Sequence, residues 1–377
     1  MNHLVKYFKD NWLDQRYPVG NLDDHILSAA DWIVYAQDQT EDNGVPHSWD
    51  IRKNKWLPSY PETTGYIIPT LFDVSLAFGV ERYAKAAERM ALWEADIQLE
   101  SGGVMAGHMG AEVIVPTIFN TGQVLFGWAR CAQETKSEIC LTALRKGADW
   151  LLDVMDEDGA WRRYPSPFAP GSLKYYNVRC AFGLIKAYEV LEDRKYLDAA
   201  VRNVEFVLSA AEENGWFTSN CLTDNPDVLT HTIAYTMRGI LEVGAATGNE
   251  KYLDFAANMA RRVNSLQNED GSYPARVKAD WSSAYDWSCI TGNSQLALNN
   301  YRLYEILGDE SFISPARRAN RFNMSMQDRE TKDANVRGAL KGSHPINGGY
   351  MTYRYPNWAT KFFIDALLKE RAADISV

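Results

Sequence analysis

The sequence predicts an all-α fold, an (α/α)6 toroid of six inner helices ringed by six outer ones, with room for a seventh, partial pair at the N-terminus. Three observations predict it. Six polar clusters recur at about the spacing of one helical hairpin, and each opens an almost wholly apolar helix; such self-similarity marks repeated supersecondary units. Amphipathic segments with apolar residues three and four apart alternate with these apolar ones. The connections also alternate between long and short, so the long loops gather on one rim.

Residues 1–24 read as a leading helix and a turn at Pro18-Val19-Gly20. Amphipathic helices follow near 25–37, 83–98, 140–155, 196–212, 252–267 and 312–327, two of them opening almost alike as Tyr196-Leu197-Asp198-Ala199-Ala200 and Tyr252-Leu253-Asp254-Phe255-Ala256-Ala257. Apolar helices fall near 63–79, 119–135, 175–193, 229–247, 291–307 and 356–370. A helix that is apolar on most faces is buried on most faces, so the second set forms the inner layer. The long loops carry turns at Asn43-Gly44, Gly102-Gly103, Asp158-Gly159, Asn214-Gly215 and Asp270-Gly271, which favour positive φ. Short links such as Gly79-Val80-Glu81 and Gly308-Asp309-Glu310 make the reverse connections. No linker interrupts the pattern, so residues 1–377 read as one domain.

A net charge of −10 and the absence of a Lys/Arg run argue against a nucleic-acid binder. They leave an acidic ligand open, because a cleft can oppose the global sign. Cys131, Cys140, Cys180, Cys221 and Cys289 are scattered with no Cys-x-x-Cys pair, which fits reduced, buried thiols. No apolar run reaches membrane-span length and residues 1–17 lack an apolar signal core, so a cytoplasmic protein without a membrane partner is expected. No His or Cys spacing suggests a metal. Nothing in the sequence fixes the oligomeric state.

The six polar starts form one ring if six helices line one interior. Capping explains residues such as Thr63, Asn120, Thr230 and Asn357 taken singly. Gln123, Arg179, Gln295 and Lys361 lie deeper in apolar helices, where an unpartnered polar group is costly, so they need one another, water or a ligand. His231, the ring's histidine, is a candidate for proton transfer as well as for a structural role. The long loops are aromatic and basic. Tyr60, Trp49 and Trp287 offer planes for sugar faces, and Arg276 offers a guanidinium for carboxylates, although aromatics equally staple loops. With Asn120, Gln123, Asn293, Gln295, Asn357 and Lys361 they make up the expected substrate-binding set.

The wording Tyr60-Pro61-Glu62-Thr63-Thr64-Gly65-Tyr66, with Cys289-Ile290-Thr291-Gly292-Asn293-Ser294-Gln295 and Tyr355-Pro356-Asn357-Trp358, resembles α/α-toroid carbohydrate-active enzymes, most of all the family 38 polysaccharide lyases. The architectural resemblance covers nearly the whole chain. It implies cleavage of a uronate-containing oligo- or polysaccharide by β-elimination, with no metal or organic cofactor. Toroid lyases use an Asn/His/Tyr/Arg set, which implies roles for Asn177, Arg179, His231 and Tyr285. Asn177 and Arg179 would neutralise the uronate carboxylate, His231 or Tyr285 would take the C5 proton, and a tyrosine would protonate the leaving oxygen. Glu62 would share a proton with the substrate or orient Arg179. Tyr60, Tyr176, Tyr235 and Tyr350 rival Tyr285. Hydrolysis of the unsaturated glucuronyl type remains an alternative, with Asp50, Glu62, Asp224, Asp227 or Asp286 as carboxylates. A uronyl C5-epimerase and a non-enzymatic glycan-binding toroid remain open too.

Overall fold

The computed structural model describes residues 2–169, 171 and 173–375; the remaining positions of the expected domain lie outside the described residues. After α1 (His3–Trp12) the chain alternates two helix sets. The outer set is α2 (Leu22–Gln37), α4 (Glu81–Asp96), α6 (Glu138–Asp153), α8 (Arg194–Ser209), α10 (Glu250–Asn264) and α12 (Ile313–Met324). The inner set is α3 (Pro61–Phe78), α5 (Ile118–Thr135), α7 (Arg179–Leu191), α9 (Thr230–Thr247), α11 (Ile290–Leu307) and α13 (Asn357–Ile375). A 3-10 turn at Tyr175–Val178 leads into α7, so the helix expected from 175 begins four residues later as a true α-helix.

Each inner helix packs on the next in chain order, and α13 packs on α3 to close the ring. Glycines set the spacing. A Cβ at Gly127 would stand 2.4 Å from the Gly65 carbonyl, and one at Gly183 would stand 2.4 Å from the Gly122 carbonyl. Side chains there would force the inner helices apart.

Five inner helices hand over to outer helices through one repeated device. Gly79, Lys136, Glu192, Gly248 and Gly308 each end a helix in the left-handed region, with φ between 55° and 68°. The next residue starts the outer element, and Ser137, Asp193, Asn249 and Asp309 cap it through their side chains. The sixth pair is made differently. Outer helix α2 packs on α13, the last inner helix, and Arg371 Nε meets Asp23 Oδ1 at 2.8 Å.

The long loops lie at the N-terminal ends of the inner helices. They form small antiparallel ladders: β1 (Ser48–Asp50) between β2 (Lys55–Trp56) and β9 (Arg354–Pro356), β3 (Val104–Met105) with β4 (Pro116–Thr117), β5 (Val228–Leu229) with β6 (Arg276–Val277), and β7 (Ser288–Cys289) with β8 (Ser343–His344). Helix α1 is no seventh pair. It lies against this rim, where Asp10 is buried and its carboxylate accepts the Ile346 N–H at 3.0 Å. All five cysteines are buried and free. No helix among the described residues is long and apolar enough to cross a membrane.

Candidate active site

The polar starts of the inner helices divide into two groups. One group fastens the long loops. Thr64 accepts the Val45 N–H at 2.9 Å, Thr121 the Val104 N–H at 2.8 Å, Asn293 the Tyr273 N–H at 3.2 Å and Thr360 the Leu340 N–H at 3.0 Å. The amides of Asn120 and Asn357 donate to the carbonyls of Met105 and Pro46, at 2.7 and 2.9 Å. Asn120, Asn293 and Asn357, expected at the substrate, are therefore buried staples between loop and helix. Arg276 belongs with them, because its Nη1 donates to the Asp227 carbonyl at 2.7 Å. Trp49 is buried in β1 against Trp56, with ring centroids 5.3 Å apart. A buried loop backbone must find partners, and these residues supply them or fill the space behind them.

The second group builds an aromatic cup around one carboxylate. Glu62, in the first turn of α3, accepts a hydrogen bond from the Tyr60 hydroxyl at 3.0 Å. From Tyr60 the wall continues through His47 (5.2 Å between centroids) to Trp358 (4.7 Å), whose indole N–H donates to the Tyr350 hydroxyl at 2.9 Å. Tyr350 packs on His231 (5.3 Å), His231 on Tyr235 (4.5 Å), Tyr235 on Phe119 (5.2 Å) and Phe119 on Tyr176 (5.3 Å). Glu62, Tyr60 and His47 keep partial exposure while protein surrounds them, which is the geometry of a cleft.

Electrostatics in the cup favour neutral forms. Burial lifts the Glu62 carboxyl to about 7, against smaller downward pulls from the Tyr60 hydroxyl and the more distant Arg179. Burial lowers His231 to about 4, so its imidazole is neutral near pH 7. His231 Nδ1 lies 2.7 Å from Gln295 Oε1. An amide oxygen only accepts, so Nδ1 carries the hydrogen and Nε2 keeps its lone pair. Among the described residues the Gln295 amide nitrogen is buried without an acceptor. His47 is held neutral as well, lowered to about 3 chiefly by burial.

The floor of the cup is a layer of Tyr66, Tyr235, Phe362 and Arg179. Arg179 is buried; its Nε donates to Gln123 Oε1 at 2.8 Å and its guanidinium lies 4.7 Å above the Tyr235 ring. Arg179 and Lys361 line a cavity on the far side of this layer, and Lys361 is paired with Asp365. Arg179 thus reaches Glu62 and His231 through its field, without an ion pair. Asn177 is buried on the 3-10 turn beside Tyr176.

Tyr285 stands apart from this group. It is 40% exposed on the rim, its hydroxyl accepting from the Asn225 amide at 3.4 Å. Trp287 is half-buried beside it, packed where Gly348 and Gly349 have no side chains. The residues around His231 and Glu62 that sequence reasoning left in reserve or missed are Tyr350, Tyr235, Tyr66, Trp358 and His47. Two of them carried a readable signal, because Tyr66 and Tyr235 lie four residues after Glu62 and His231 and so share their helix faces. Among the described residues no group of three or more His, Cys, Asp or Glu is arranged to hold a metal ion.

No family model matches the chain. An uncharacterised protein of Caenorhabditis elegans is 25% identical over 199 residues, which cover 48% of this chain and 27% of that protein. The match thus spans about a quarter of the length of that curated relative. Among solved structures, the unsaturated glucuronyl hydrolase of Bacillus sp. GL1, responsible for glycosaminoglycan degradation, superposes with a TM-score of 0.74 at 16% identity, covering 94% of this chain and 97% of that one. A D-mannose isomerase gives 0.73 at 13% identity, covering 94% and 100%. A polysaccharide lyase gives 0.65 at 10% identity, covering 95% and 99%. These likenesses establish the α/α-toroid fold.

Proposed function

We propose that this toroid is a carbohydrate-active enzyme that cleaves a uronate-containing oligo- or polysaccharide by β-elimination in the aromatic cup. The observation that carries the reading is a pair of buried groups tuned in complementary ways: Glu62, still half protonated near pH 7, and His231, neutral with a free Nε2. Titratable groups pushed apart by their surroundings mark acid and base roles. The sugar-active neighbours on the same fold, which include a glucuronyl hydrolase and a polysaccharide lyase, support the substrate class, as does the likeness of the chain's motifs to the family 38 lyases.

In this reading His231 Nε2 takes the C5 proton of the uronate. The electron pair left at C5 forms the C4–C5 double bond as the C4–O4 bond breaks. The proton of Glu62, directly or through the Tyr60 hydroxyl, goes to the departing O4. Asn177 is the proposed donor to the substrate carboxylate, which spreads the charge that develops on deprotonation. Tyr176, Tyr350 and Trp358 offer ring faces to the sugar. Asn120, Asn293, Asn357 and Arg276, already occupied by loop backbone, take no part.

One observation favours a second reading. Glu62 is the carboxylate whose charge acts on the hydroxyls of Tyr60, Tyr176, Tyr235 and Tyr350. The other carboxylates considered for hydrolysis stand elsewhere: Asp50 pairs with Arg354 at 3.3 Å, and Asp224 and Asp286 are exposed on the rim. A lone acid of this kind does not suit paired-carboxylate glycoside hydrolysis. It does suit protonation of an unsaturated uronide at C4, followed by addition of water at C5.

Ultraviolet absorbance of the conjugated C4–C5 double bond separates the two. Mixing the protein with polyuronates and uronate oligosaccharides is expected to raise it. A fall on pre-cleaved unsaturated oligosaccharides would instead establish hydration. No change on either, with no C5 proton exchange in deuterated water, would refute an acid/base reaction on uronates.

A further inference from the structure

The cavity beneath the cup's floor opens at the other end of the toroid, among the last turns of the inner helices and the short connections. Its volume is about 750 Å3. Eight cationic side chains line it against three carboxylates, a net of five positive charges inside a protein whose net charge is −10. Local charge of this sign, walled by low-dielectric protein, concentrates anions. Most of the cations are matched. Glu242 joins Arg238 and Arg302 at 2.6 and 2.9 Å, Asp73 meets Arg130 at 2.8 Å, and Asp365 holds Lys361.

Arg179 is the exception. It is 5% exposed, and among the described residues no carboxylate pairs with it. Among the described residues only its Nε has a protein acceptor, Gln123 Oε1. The terminal nitrogens of a guanidinium this deep, on a residue that lines the cavity, are left without one. A buried cation without a counter-charge is costly, and a bound oxyanion accepting from both terminal nitrogens would remove that cost. Phe126 and Phe182 line the same cavity and give it an apolar wall. The volume lies in the range that encloses a small organic molecule.

We propose that this short-loop cavity is a second ligand site, for a small organic polyanion whose phosphate or carboxylate group is bound by Arg179 and whose remaining charge meets the cations nearer the mouth. The site lies apart from the cup, although the Arg179 charge is felt at Glu62 and His231, and its test needs no turnover.

The test is calorimetric titration of the full chain, at low ionic strength, with inorganic pyrophosphate and separately with citrate. Saturable binding of at least one is expected. Affinity should fall about tenfold or more in Arg179→Gln, the loss of a charge-assisted hydrogen-bonding pair. Because Arg179 is buried and its variant can fail to fold, Lys186→Glu at the mouth provides a second reading, with a severalfold loss expected. Binding of pyrophosphate alone would assign the ligand as a phosphate ester; binding of citrate alone would assign a polycarboxylate. Absence of saturable binding by both, or binding unchanged in Lys186→Glu and in a folded Arg179→Gln, overturns the proposal.

Discussion

Glu62 and Glu242 are deep carboxylates on inner helices that face each other across one ring, α3 and α9, and the protein treats them in opposite ways. At the long-loop end Glu62 has a phenol for a partner, and burial lifts it to about 7. At the short-loop end Glu242 has Arg238 and Arg302, and their charges outweigh burial and hold it down to about 2. Depth is common to both, so the partner decides. A carboxyl that can exchange its proton near neutrality is equipped for acid/base chemistry. One locked as an anion between guanidinium groups organises a charged wall.

The contrast predicts a ranked series of effects. The largest is Glu62→Gln, expected to lower kcat/KM on the proposed uronate substrate about a thousandfold by removing the proposed proton donor. The same change should not weaken the fold. A carboxyl raised above its unfolded value contributes stability below about pH 4.5 and loses it as pH rises through about 7, so in thermal melts at pH 8 the Gln variant is expected to be at least as stable as the parent. Glu242→Gln should do the reverse. It leaves two partly buried guanidinium groups without their shared anion and costs about 3 kcal/mol of folding free energy, measurable by urea denaturation. The contribution of Glu242 is present above its unfolded value and fades as pH falls through about 2, so the deficit should persist across neutral pH.

Next in size is His231→Ala, expected to cost about a hundredfold in kcat/KM. The parent should show a bell-shaped pH profile, with an acid limb near 4 from His231 and an alkaline limb near 7 from Glu62. Arg179→Gln should move the alkaline limb upward, because the Arg179 charge holds Glu62 down. A limb that stays put would show that the two ends are electrostatically separate. The smallest effect is expected of Tyr285→Phe, within about twofold of the parent for an exposed rim group. A large loss there would move the chemistry from the cup to the rim.

Much of the architecture was legible because the 3.6-residue period and the apolar inner helices leave little freedom in how they pack. Helix starts read from the sequence fall within four residues of those observed. What joins one helix to another was not legible. The glycine contacts between α3 and α5, and between α5 and α7, involve residues about sixty positions apart and have no local signature. The turn at Asn43-Gly44 shows the same limit: Asn43 takes the positive φ, while Gly44 is small because Trp93 lies against it.

At the site, Glu62 and His231 stood out from the sequence as polar residues opening apolar helices. The same pattern also picked out Asn120, Asn293 and Asn357, since an amide that fastens a loop and an amide that binds a sugar read alike in one dimension. Tyr285 sits in a loop rich in aromatics, and no periodicity tells which of those side chains turns inward.

Helix α2 completes the pair begun by α13, through contacts such as Asp23 with Arg371 that join residues 348 positions apart. During synthesis, the apolar face of α2 must therefore wait for nearly the whole chain before its partner exists. Loop closure over that distance is slow, and the waiting surface is sticky. A nascent chain halted before α13 should behave as a chaperone client even with every earlier hairpin made, and α13 acts as the latch.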